Sequence, residues 1–124
     1  MTNTISFLGS PPSANRYWRT VVRGKRAITY VSDEAKQFKN DMFYMAKAAK
    51  VVKTSLPVSV SITWHRKTEK SAGDIDNRIK VVLDSLNGIA WDDDKQVHQL
   101  FIEKKISGHD AMDIVIKTME STNR

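Results

Sequence analysis

Val58-Ser59-Val60-Ser61-Ile62-Thr63-Trp64, followed after a polar loop by Asp76 through Gly88, is the stretch that decides the fold. Apolar residues at every second position predict a half-buried strand, because successive side chains of a strand point to opposite faces. In the second block Ile79, Val82, Leu83 and Leu86 follow i, i+3, i+4, i+7 spacing, the apolar stripe of a helix. Asp76 or Asn77 is a good N-cap for it, and Asn87-Gly88 ends it, since either residue accepts the left-handed conformation. The loop between strand and helix covers residues 66–73.

The same reading extends outward. Gln96–Ile106 predicts a strand with Leu100, Ile102 and Ile106 on one face. Ser107-Gly108-His109-Asp110 is a turn, and Met112, Ile114 and Ile116 alternate in a last strand. Upstream, Thr4–Leu8 alternates as a short strand, stopped by Pro11-Pro12, which supply no ladder donors. Residues 21–30 predict a hairpin with a basic tip at Arg23–Arg26. Ser32 caps a helix running to about Lys50, with Asp33 and Glu34 at its positive end and Ala35, Phe38, Met42, Met45, Ala46 and Ala49 at helical spacing. The expected order is strand, hairpin, helix, strand, helix, strand, strand. That is an α+β class chain, a mixed β-sheet packed with two main α-helices in a single domain over residues 1–124.

The chain of 124 residues contains no cysteine, which removes disulfides, thiolate ligands and a Cys nucleophile and suits a cytoplasmic protein. The N-terminus lacks the charged and apolar regions of a signal peptide. No apolar run is long enough to span a bilayer, so no membrane partner is expected. The net charge of +6 is uneven. Residues 1–70 carry 13 Lys/Arg against 4 Asp/Glu, whereas residues 71–124 carry 7 against 10. A basic half concentrates phosphate polyanions. Arg16, Arg19, Arg23, Lys25, Arg26, Lys67 and Lys70 are the candidate DNA contacts, with Tyr17 and Trp18 placed among them to stack on bases.

The acidic residues form two runs, Asp74-Ile75-Asp76 and Asp92-Asp93-Asp94. In an extended segment Asp74 and Asp76 share a side. Lys80 lies one helical turn beyond Asp76. A hard divalent cation is held by a few carboxylates, with waters and substrate oxygens completing its shell. Such an ion serves phosphodiester hydrolysis by activating water and steadying the leaving oxygen. A third carboxylate is expected from Asp92, Asp93 or Asp94, with the intervening helix bringing it back to the Asp74/Asp76 pair. His65, His98 and His109 have no zinc-ligand spacing, and neither a glycine-rich phosphate loop nor a Gly-x-Ser-x-Gly elbow is present.

Asp74-Ile75-Asp76-Asn77-x-x-Lys80, then Leu83-Asp84-x-Leu86-Asn87-Gly88, then Trp91-x-Asp93-Asp94-x-Gln96-Val97, resembles the RusA family of Holliday junction resolvases. Pro11-Pro12-Ser13-x-Asn15-x-Tyr17-x-Arg19 is similar to that family's N-terminal pattern. The resemblance spans nearly the whole chain in order. It implies an endonuclease, often encoded by phages or prophages, that depends on Mg²⁺ (Mn²⁺ as a substitute) and acts as a homodimer. Such an enzyme cuts four-way junction DNA by two symmetric nicks in recombination and repair. It implies catalytic, metal-holding roles for Asp74, Asp76 and Asp94, a catalytic role for Lys80, and assistance from Asp93. Some members carry a basic run before the first aspartate where this chain has Ser71-Ala72-Gly73. Two other readings stay open on the residues alone: a non-catalytic branched-DNA-binding module, and a small Mg²⁺-dependent nucleotide phosphohydrolase.

Overall fold

The 58–64 alternation forms a strand that extends to Arg66 and lies inside a four-stranded sheet. A computed structural model describes residues 2–12, 18–68 and 75–119. For residues 18–23, 28–31 and 75–77 it describes the backbone alone. The elements are β1 (Thr2–Leu8), β2 (Trp18–Arg23), β3 (Arg26–Val31), α1 (Asp33–Ala48), β4 (Val58–Arg66), α2 (Ile75–Leu86), β5 (Val97–Ile106) and β6 (Ala111–Thr118). A 3₁₀ turn, Asp94–Gln96, precedes β5.

The sheet order is β1-β6-β4-β5. β6 is antiparallel to both neighbours, with Ile114 opposite Ile5 and Ile62. β4 and β5 are parallel, with Ile62 opposite Ile102. The sheet is therefore mixed, and α2 is the crossover that parallel neighbours require. β2 and β3 form a separate two-stranded sheet, with Arg23 opposite Arg26. Its tip is turned by Gly24 at φ +64°, a backbone state that glycine adopts without a Cβ penalty.

The core lies between one sheet face and the two helices. Ile5 and Phe7 of β1, Val58, Val60, Ile62 and Trp64 of β4, and Met112, Ile114 and Ile116 of β6 meet Ala35, Phe38, Met42 and Ala46 of α1. Ile79, Val82 and Leu86 of α2 complete it. Phe7 and Phe38 join sheet to helix with ring centroids 5.0 Å apart. β5 is an edge strand, so Leu100 and Ile106 share the core-facing side of Ile102 yet remain exposed, as does Phe101 on the other side.

Two helix boundaries differ from expectation. α1 stops at Ala48 because Lys50 turns left-handed at φ 58° and Val51 donates back to the Ala46 carbonyl at 3.0 Å, the closing pattern of a helix C-terminus. α2 starts at Ile75, so Asp76 sits inside the first turn rather than capping it.

Candidate functional site

The second acidic run is built by its loop. Trp91 is fully buried. Its indole N–H donates to Asn87 Oδ1 at 2.7 Å, and its carbonyl accepts from Gly88 N–H at 2.7 Å. This pins the chain just before Asp92. Gln96 then closes the loop from the other side. Its Oε1 accepts from the N–H groups of Asp92 (2.8 Å) and Asp93 (3.0 Å), and its Nε2 donates to the Thr54 and Leu56 carbonyls at 2.9 and 3.0 Å. Asp93 is the N-cap of the 3₁₀ turn, and its Oδ1 accepts from Lys95 N–H at 3.1 Å. Asp93 and Gln96 thus form a reciprocal capping box, whose signal in the sequence is an Asp followed three residues later by Gln.

Capping separates three adjacent acids that look equivalent in the sequence. Asp92 is exposed and pairs with Lys53 at 3.3 Å. Asp93 has one oxygen committed to the loop. The backbone N–H of Lys95, and then a hydrogen bond with Asp94, hold its carboxyl below the usual range. Asp94 is pushed the other way. The hydrogen bond with Asp93 comes first, followed by partial desolvation and the negative charges of Asp93 and Asp84. A carboxyl crowded by like charges favours its protonated form.

Asp84 entered the sequence reading only as part of a family pattern, with no role of its own. It pairs with Lys39 of α1 at 3.2 Å, and its field reaches Asp94. Asp76, Lys80 and Asp84 fall at i, i+4 and i+8 of α2, one stripe along the helix. That spacing was the available signal. Lys80 is exposed.

The expected return of Asp94 to the first acidic pair rests on Asp74 and on the Asp76 side chain. Because β5 runs parallel to β4, α2 carries the chain from the end of β4 to the start of β5. Asp76 is in the first turn of α2, eight residues and about 12 Å along the axis from Asp84, whose charge acts on Asp94. Asp74 lies outside the described residues, and the side chain of Asp76 is not described. Among the described residues, no three His, Asp or Glu side chains are grouped to hold a metal ion. The donor chemistry suits a hard divalent cation. Both runs offer only oxygen ligands, and a cation near Asp94 would relieve the repulsion from Asp93 and Asp84.

Of the basic candidates, Lys25 and Arg26 are exposed at the hairpin tip, and Lys67 is exposed just after β4. Arg19 and Arg23 lie on β2, where only the backbone is described. Arg16, Tyr17 and Lys70 lie outside the described residues. His65 is occupied, with Nδ1 2.8 Å from Ser107 Oγ and Nε2 3.0 Å from Asp113 Oδ2. The His109 ring stacks on it at 5.3 Å.

Residues 9–117 match the protein-family model described as Endodeoxyribonuclease RusA. No match to an individually curated protein was found.

Proposed function

This chain belongs to the RusA endodeoxyribonuclease family, and on that premise we propose that it resolves four-way DNA junctions as a homodimer, with Mg²⁺ held by carboxylates of both acidic runs. As a member of that family it is a Holliday junction resolvase that hydrolyses phosphodiester bonds. The metal, the paired nicks, the dimer and the residue roles are the proposal.

One observation carries it most. Asp94 is an exposed carboxyl facing the negative charges of Asp93 and Asp84, in a loop tied by the Asp93–Gln96 capping box and by Gln96 to the Thr54 carbonyl. Asp74, Asp76 and Asp94 would hold the ion, and Mg²⁺, when bound, supplies an activated water and neutralises charge at the scissile phosphate. Lys80, one turn beyond Asp76, offsets the negative charge that grows on the phosphate oxygens. Asp93 keeps Asp94 presented. Lys25, Arg26 and Lys67, with Arg16, Arg19, Arg23 and Lys70, hold the junction arms through phosphates. A junction with two-fold symmetry calls for a C2 dimer, which offers two equivalent sites for two nicks. No helix among the described residues is long and apolar enough to cross a membrane. The place of action is the cytoplasm of a bacterial host, with the chain encoded by a phage or prophage.

Asp74→Asn tests the reading. It abolishes nicking of a synthetic four-way junction, while binding is kept or improved because a negative charge near phosphate is lost. Normal cutting by this variant contradicts the site assignment. Junction binding by the wild type without any cleavage identifies a binding module instead, and turnover of free nucleotides identifies a phosphohydrolase.

A further inference from the structure

We infer that Arg78, supported by Arg66, is a positioning residue that locks the segment carrying Asp74 and Asp76 to the root of the N-terminal DNA-contact loop. The inference rests on the functional reading above and adds a residue to it.

The segment 67–74 leaves the sheet at Arg66, the last residue of β4, and enters α2 at Ile75. An arginine marks each root, and both guanidinium groups lie over one ring. Arg66 Cζ is 4.7 Å and Arg78 Cζ 5.9 Å from the Trp64 ring centroid, within the range of cation–π attraction. Trp64 is fully buried in the core, so this platform cannot move without unpacking the sheet.

The same two arginines reach one further segment. Arg66 Nη1 donates to Ser10 Oγ, and Arg78 Nη1 donates to the Pro11 carbonyl. Pro11 and Pro12 are buried, and the chain runs from them into residues 13–19, where Arg16 and Arg19 are placed in sequence. Asp110 ties the third side. Its Oδ1 accepts from Lys67 N–H at 2.8 Å and lies 3.9 Å from Arg66 Nη1, and its carbonyl accepts from Gly9 N–H at 3.0 Å. Ser107 N–H donates to the Arg66 carbonyl at 2.9 Å. Both roots of the aspartate-bearing segment and the root of the DNA-contact loop are thereby fastened to one indole.

Arg66 is 5% exposed and Arg78 is half-buried, each with its guanidinium engaged inside the protein. Their placement serves geometry rather than phosphate capture. A lysine at position 78 would keep a charge and a donor but lose the planar face that rests on the ring.

The test uses the full chain with Arg78→Met and Arg78→Lys. Mn²⁺ binding is read from loss of the free-ion paramagnetic resonance signal, alongside metal-free binding to a labelled four-way junction at several salt concentrations and thermal melting. Arg78→Met is expected to raise the Mn²⁺ dissociation constant about tenfold or more, with Arg78→Lys intermediate. Metal-free junction affinity and its salt slope stay as in the wild type. Unchanged Mn²⁺ affinity in a folded Arg78→Met overturns the inference. A weaker junction affinity with a shallower salt slope also does so, because it makes Arg78 a phosphate contact. If Arg78→Met fails to fold, Arg78→Lys and Arg66→Lys carry the same comparison. If the wild type leaves junctions intact but binds Mn²⁺, and Arg78→Met weakens that binding, the functional proposal fails and this one stands. If the wild type cuts junctions and folded Arg78→Met keeps its Mn²⁺ affinity, the reverse holds.

Discussion

At Asp93 and Asp94, neighbouring carboxyls with nearly the same exposure titrate in opposite directions because one caps a turn and the other is left to face its negative charge. The consequences for stability also oppose. Asp94 is held above its ordinary value of 3.8, so the unfolded chain loses this proton first. Stability falls as pH rises from that value to the raised one, and the penalty persists at neutral pH. Asp94→Asn therefore raises Tm at pH 7, and the gain disappears in acid, where both states keep the proton. Asp93 is held below 3.8, so its contribution is present above that value and is lost as pH falls through the lowered one. Asp93→Ala lowers Tm at pH 7. Thermal melts of both variants between pH 3 and 7 check the signs, and a fall in Tm at pH 7 for Asp94→Asn contradicts this account. In a cleavage assay Asp94→Asn is expected to lose at least about 100-fold in rate, the scale on which a group stabilising developing charge acts. Asp92→Asn, which breaks only an exposed pair with Lys53, stays near the wild type.

The loop between α2 and β5 depends on one side chain more than on its acids. Gln96 satisfies two backbone donors and two backbone acceptors from separate segments. Gln96→Ala is expected to cost about 0.5–1.5 kcal/mol, the net worth of an ordinary hydrogen bond, because only the bond to the Thr54 carbonyl is partly buried and water can replace the others. The cost is measurable as a shift in the urea midpoint with an unchanged slope. Loss of cleavage should accompany it, since Asp94 is no longer presented. At this scale the strands were largely legible, because β4, β6 and β1 each bury one face and alternate accordingly. β5 was legible as a strand, but its exposed Leu100 and Ile106 were not, since apolar residues mark a covered face only when something covers it. Helix ends slipped by one or two residues where a left-handed Lys50, rather than a glycine, closed α1. The Asp93–Gln96 box carried a readable sequence pattern, but it was masked by the acidic run in which it sits.

Over the whole molecule, charge and order were written in the sequence and pairing was not. The basic excess of residues 1–70 was readable directly. The parallel pairing of β4 with β5 was not, because alternation sets which face a strand buries but not which neighbour it chooses. The basic hairpin tip makes a separate prediction. Lys25→Ala and Arg26→Ala should each weaken junction binding at low salt and make the plot of log affinity against log salt shallower by about one unit. A slope equal to that of the wild type would remove the tip from the DNA surface.

Metal-dependent resolution of a four-way junction by carboxylates from both acidic runs is open to direct assay. The most direct measurement incubates the wild type, Asp76→Asn and Asp94→Asn with a labelled synthetic junction and with a linear duplex of the same sequence, over a Mg²⁺ titration. The prediction is paired, symmetric nicks in the junction only, only with Mg²⁺ and only by the wild type, with both variants still binding. Cleavage that persists without divalent metal, or that survives in either variant, would contradict the account.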